Sequence, residues 1–89
     1  MKAVVTVVGK DRVGIIAQVC AALAESNVNV LDISQTVMQG YFTMMMVVDV
    51  SAAAVPLAQL CQTMEDKGAE MGLSIRLQRE DIFDAMHRV

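Results

Sequence analysis

The sequence predicts an α+β domain of order βαββαβ: a four-stranded antiparallel sheet with two helices on one face, plus a short C-terminal helix. Three observations predict it. Short apolar runs rich in valine and methionine at residues 2–8 and 41–50, and apolar residues sorted to one face at 28–38 and 73–79, are the mark of strands. Apolar residues recur at spacings of three and four in residues 14–26 and 56–71, the mark of amphipathic helices. The chain also falls into two similar strand-helix-strand halves with no low-complexity tract between them. Helices with one apolar stripe each must both lie on one sheet face, which is the ferredoxin-like split βαβ arrangement.

The first strand is the valine-rich run at residues 2–8. The first helix carries Ile15, Ile16, Val19, Cys20 and Leu23 on its stripe and stops at Asn27. In the second strand Leu31, Ile33 and Val37 share one face, with Asp32, Ser34, Thr36 and Met38 on the other. Gln39-Gly40 turns the chain into a third strand whose Phe42, Met44, Met46, Val48 and Val50 point one way, so these two strands form a hairpin. Pro56 suits the first turn of the second helix, which buries Leu57, Leu60, Cys61, Met64, Gly68 and Met71 and stops at Gly72. A last strand turns Ile75 and Leu77 inward and Arg76 and Gln78 outward. The tail from residue 80 carries Ile82, Phe83, Met86 and Val89 at helical spacing and starts a helix near Asp81.

A chain of 89 residues suffices for one small core, so residues 1–89 form a single domain with its core in 1–79 and a tail in 80–89. Hydrophobic residues make up 55% of it, yet there are two phenylalanines, one tyrosine and no tryptophan, which leaves no stacking platform for bases. The net charge of −3 argues against a surface that tracks phosphates, and direct nucleic-acid binding is excluded from the expectation. The sequence shows no secretory cleavage pattern and no apolar run long enough for a bilayer, which makes the cytoplasm the expected location and rules out a membrane role. Cys20 and Cys61 lie in separate helical stripes and read as reduced thiols. No metal or cofactor spacing is present.

The segment Gly9-Lys10-Asp11-Arg12-Val13-Gly14 bridges the first strand and helix. Such a turn is a helix cap, with Asp11 accepting from the first free amides, or a small-anion site at the helix start. The outward sheet face, with Val4, Thr6, Val8, Met38, Thr43, Met45 and Val47, is too apolar to stand in water uncovered. A second copy of the chain is the expected cover, the tail helix docking on the same face of its own chain or of that copy. Face-to-face pairing is preferred over edge pairing for this reason.

GKDRVGI at residues 9–15, AQVCAALAESNVNVLDISQT at 17–36 and the ending IFDAMHRV at 82–89 resemble the small stand-alone ACT-domain proteins over essentially the whole chain. The resemblance implies a regulatory module that pairs with itself and binds a small ligand, most often an amino acid, in amino-acid metabolism or its control. Position by position, it implies a ligand carboxylate near the backbone of Asp11, Arg12, Val13, Gly14 and Ile15. It further implies that Asn27 and Asn29 meet an amino group or the partner's ligand. Val13 stands where ACT domains attached to metabolic enzymes commonly have proline, so ligand identity does not transfer.

Each of these residues has a plainer role as well: Lys10 and Arg12 as solvated charges, Asp11 as a cap, Asn27 as a helix stop, His87 as a partner for terminal helix carbonyls. Acylphosphatase-like chemistry on this fold is a remote alternative, because the turn lacks an extended glycine-rich cradle and no acid-base pair presents itself. The expectation is therefore no enzyme. A homodimeric amino-acid sensor leads, with a ligand-free pairing or protein-interaction module as the alternative.

Overall fold

The computed structural model describes residues 1–86, so the expectations for His87 and Val89 lie outside the described residues. Strand β1 (Lys2–Lys10) leads into helix α1 (Ile15–Glu25), followed by β2 (Asn29–Met38), β3 (Tyr41–Asp49), helix α2 (Leu57–Met71), β4 (Ser74–Arg79) and helix α3 (Glu80–Met86). The sheet is antiparallel throughout, in the order β2-β3-β1-β4. The ferredoxin-like βαββαβ prediction holds, with the short C-terminal helix added.

Cross-strand partners fix the two faces. Val5 lies between Met46 and Leu77, and Val7 between Met44 and Ile75, so these residues form the inner face. All six are buried, together with Ile15, Val19 and Leu23 of α1 and Leu60, Met64 and Met71 of α2. With few aromatic residues, methionine fills what rings would otherwise fill, its flexible thioether conforming to gaps between branched aliphatics.

Helix α2 reaches its close seat on β4 through Gly68. A Cβ there would stand 2.8 Å from the Leu73 carbonyl oxygen, 2.9 Å from Ile75 Cγ1 and 3.1 Å from the Ile75 amide nitrogen. Gly72 ends the helix in the left-handed conformation. Pro56 occupies the position just before the first turn of α2, one residue earlier than expected, where its missing N–H costs nothing. The Gln39-Gly40 turn has φ of 52° and 82°, the mirror-image geometry that suits the twist of a hairpin.

The predicted faces of β2 change at its start. Val30 pairs with Val48 on the inner face, but Asp32, two residues on, pairs with Val47 on the outer face. One extra residue, Leu31, is therefore accommodated in a bulge and leaves the face shared by Ile33 and Val37. The core stripe of α1 turns toward the middle of the sheet, and β2 stays bare: Ile33 is 41% exposed and Val37 54% exposed although both face inward.

Helix α3 packs on β1 and β4, with Gln78 Nε2 donating to Met86 Sδ at 3.3 Å on the outer face. Val4, paired with Gln78, is buried there, whereas Met38, Met45 and Val8 of the same face remain exposed. The N-terminal ammonium is tied to Ser51 Oγ and lies 3.6 Å from the Asp49 carboxylate. The Ser51 backbone amide, with its hydroxyl and the ammonium adding to it, holds the Asp49 carboxyl below its ordinary range.

Candidate functional site

The turn between β1 and α1 is shaped by backbone. Strand β1 continues through Lys10, and the Asp11 amide donates to the Gly40 carbonyl at 2.8 Å, stitching this turn to the tip of the β2–β3 hairpin. The residue before the helix is Gly14, at φ 91°, where a side chain would be strained. Among the described residues no side chain caps α1, and no acidic residue occupies its first turn. The expectation that Asp11 caps the helix is thus overturned: it stands three residues before Gly14, held by its own backbone bond.

An uncapped start leaves the amides of the first turn without intrahelical acceptors and concentrates about half a positive charge there. The first of the helix's own bonds runs from the Gln18 amide to the Gly14 carbonyl at 3.0 Å. In front of those amides lies a cleft of about 700 Å³ between α1 and the inner side of β2. Asp11, Arg12 and Gly14 line its mouth, Ile15, Ile16, Ala17 and Cys20 its α1 wall, and Gln35, Thr36, Val37 and Phe42 its β2–β3 wall.

Of the residues expected in a site, Asp11, Arg12, Gly14 and Ile15 therefore line one cleft. Val13 is 99% exposed and does not line it. Asn27 and Asn29 lie at the opposite end of α1. Asn27, at φ 58°, follows the end of the helix, and its Nδ2 donates to the Ala52 carbonyl at 2.8 Å, so it stops α1 and pins the loop after β3. Asn29 opens β2 opposite Asp49.

Sequence reasoning missed the far wall. Gln35, Thr36, Val37 and Phe42 are distant in sequence from the turn, and only the position of β2 beside an uncovered flank of α1 brings them in. Cys20, read as part of a core stripe, is only part-buried and belongs to the cleft. Cys61 sits on the other flank, where its Sγ donates to the Leu77 carbonyl at 3.2 Å. Burial, with Glu65 adding to it, pushes the Cys61 thiol up from its ordinary value. The two thiols face opposite edges of the sheet and are both free, as their reading as reduced thiols expects.

Among the described residues no group of histidine, cysteine, aspartate and glutamate side chains is gathered as a metal site would be, and no helix is long and apolar enough to cross a membrane.

Comparisons with known proteins agree with this architecture. The ACT domain family model matches residues 2–78. A UPF0237 protein of Bifidobacterium longum is 54% identical over 88 residues, covering 99% of this chain and 98% of its own. One of Methanocaldococcus jannaschii is 49% identical at the same coverage. An ACT domain protein from Streptococcus pneumoniae superposes with a TM-score of 0.82 at 45% identity, over 98% of both chains. The regulatory subunit of aspartate kinase from Thermus thermophilus superposes with a TM-score of 0.69 at 28% identity, over 89% of this chain and 51% of that one. With the order βαββαβ, the uncapped helix start and matches that span the chain end to end, the protein belongs to the ACT-domain family of regulatory modules and, within it, to the small single-domain UPF0237 proteins.

Proposed function

We propose that the protein is a small-molecule sensor that holds a free amino acid in the cleft between α1 and β2 and works as a homodimer paired through β2, in amino-acid metabolism or its control. The observation that carries this reading is the uncapped start of α1, with φ 91° at Gly14, opening into the cleft beside Asp11. A zwitterion fits that charge layout. Its carboxylate accepts from the amides of the first turn, and its ammonium is drawn to the Asp11 carboxylate. Val13 contributes backbone only, its side chain pointing to solvent.

The preference for face-to-face pairing gives way here to edge pairing. Helix α3 already shields part of the outer face, whereas β2 offers ten residues of free strand edge with Ile33 and Val37 uncovered beside it. Antiparallel pairing of β2 about a two-fold axis at Ile33, counting the Leu31 bulge, sets Asn29 of one copy opposite Thr36 of the other. Both residues lie on the outer side of the sheet, so this pairing gives Asn29 a place in the interface between copies and not in the cleft.

Ala17→Glu tests the reading, because position 17 lies in the first turn of α1. A glutamate there favours the helix dipole, by about 0.3–1 kcal/mol, while putting a negative charge where the ligand carboxylate belongs. A ligand of six to ten heavy atoms binds at best with about millimolar to tens of micromolar affinity, so the screen uses about 10 mM of each amino acid. A millimolar ligand then stabilises by about 1.4 kcal/mol, several degrees for so small a domain. The expected result is a selective shift in the native chain and none in Ala17→Glu, whose unliganded midpoint is equal or higher. An equal shift in the variant removes the helix start from the site; no shift with any amino acid leaves the pairing module as the better account.

A further inference from the structure

Resting on the amino-acid reading above, we infer that the cleft selects an amino acid with an apolar, uncharged side chain, and that Ile16, Cys20 and Val37 determine this choice. The cleft has two unlike parts. Its mouth is polar, with Asp11, Arg12 and the amides of the helix start. Behind the mouth runs a mainly apolar trough: Ile16 and Cys20 stand one turn apart on α1, Val37 faces them from β2 with the uncharged Gln35 two residues before it, and buried Phe42 pairs with Val37.

Val37 points into the helix layer, as its pairing with Phe42 requires, yet more than half of its surface is uncovered. The chain thus leaves apolar surface bare on the inner face of its sheet, beside the cleft, where a ligand side chain would cover it. With the ligand's carboxylate on the helix amides and its ammonium toward Asp11, the remaining substituent on its α-carbon is directed into this trough.

Charge decides against the other classes. Among the described residues Asp11 and Arg12 are the only ionisable side chains lining the cleft apart from the Cys20 thiol, and both stand at its mouth. A lysine, arginine, aspartate or glutamate side chain in the trough would lose hydration without gaining a counter-charge. A serine side chain is too short to cover Ile16, Cys20 and Val37. Each methylene buried there is worth about fourfold in affinity, so leucine, isoleucine, valine or methionine gains an order of magnitude or more over serine.

The experiment titrates the full chain by calorimetry with leucine, isoleucine, valine and methionine, and with serine, aspartate and lysine. At least one of the first four is expected to bind about tenfold or more tighter than serine, with no measurable heat from aspartate or lysine. Val37→Ser, at a part-exposed position that tolerates the change, should weaken the best apolar ligand about tenfold, because two methyl groups of the trough are gone. Serine, aspartate or lysine binding as tightly as the apolar set overturns the inference and leaves the amino-acid site standing. Unchanged affinity in Val37→Ser removes Val37 as a determinant. If none of the seven binds but another amino acid shifts the thermal midpoint, the inference fails alone; if no amino acid shifts it, the underlying reading fails with it.

Discussion

The two edges of this sheet are built from similar strands and finished in opposite ways. At the β4 edge, Ile75 and Leu77 are buried under α2, the Cys61 thiol bonds the Leu77 carbonyl, and α3 folds back over β1 and β4. At the β2 edge, Ile33 and Val37 face the same helix layer and are left uncovered. The same kind of apolar surface is thus buried within the domain on one side and left bare on the other, the bare side being the one that the proposed function uses. The β4 edge is where the fold is held together, and the β2 edge is where we propose that it meets ligand and partner.

The largest effect should come from breaking the β4 side. Gly68→Val would force α2 off β4, because its Cβ would meet backbone atoms of Leu73 and Ile75, which cannot move aside as the far end of a side chain can. Overpacking of this kind costs about 1–3 kcal/mol, and with rigid backbone as the neighbour the upper end is expected. Urea unfolding measures it. A loss below about 0.5 kcal/mol would mean that the seat of α2 is soft and that the two edges differ less than their burial suggests.

Breaking the β2 edge should do the reverse. Ile33→Lys places a charge at an exposed position, where substitutions usually change monomer stability by less than about 0.5 kcal/mol. In an antiparallel β2 pair with its two-fold axis at Ile33, however, two lysines would stand opposite each other, and like charges so placed destabilise the pair. Sedimentation at micromolar concentration should show a dimer for the native chain and a monomer for the variant, with far-ultraviolet circular dichroism unchanged. A variant that stays dimeric would move the interface to the outer face, where Met38 and Met45 remain exposed.

How far the sequence revealed this contrast depended on how local each feature is. The element order was legible because period two and period 3.6 rarely mimic each other over ten residues, and Gln39-Gly40 marked the hairpin by its preference for positive φ. The Leu31 bulge was not legible, since Leu31, Ile33 and Val37 read as residues of one face and only the pairing with Val47 and Val48 exposes the extra residue. Asp11 was read as a cap because acidic residues favour that place, while Gly14 takes the position before the helix and leaves the amides free. The mouth of the cleft was visible as a glycine-bracketed turn. Its far wall depends on how much of β2 the first helix leaves uncovered, and no local pattern encodes that.

The smallest effect, and the sharpest comparison of the two flanks, concerns the thiols. Cys20 lines the cleft beside β2, and Cys61 packs against β4 with its thiol pushed up by burial and by Glu65. Only a thiolate is alkylated at a useful rate, so raising the pKa slows Cys61 at neutral pH, and modification there should quicken as pH rises toward its shifted value. A bound amino acid should protect Cys20 and leave Cys61 untouched, because the two face opposite edges of the sheet. Mass spectrometry after timed iodoacetamide treatment, with and without about 10 mM of the amino acid that gives the largest thermal shift, reads both rates in one sample. A severalfold slowing confined to Cys20 places the ligand on the β2 side; equal slowing of both thiols would indicate global tightening of the fold, and slowing of Cys61 alone would put the ligand against β4 and reverse the assignment of the two edges.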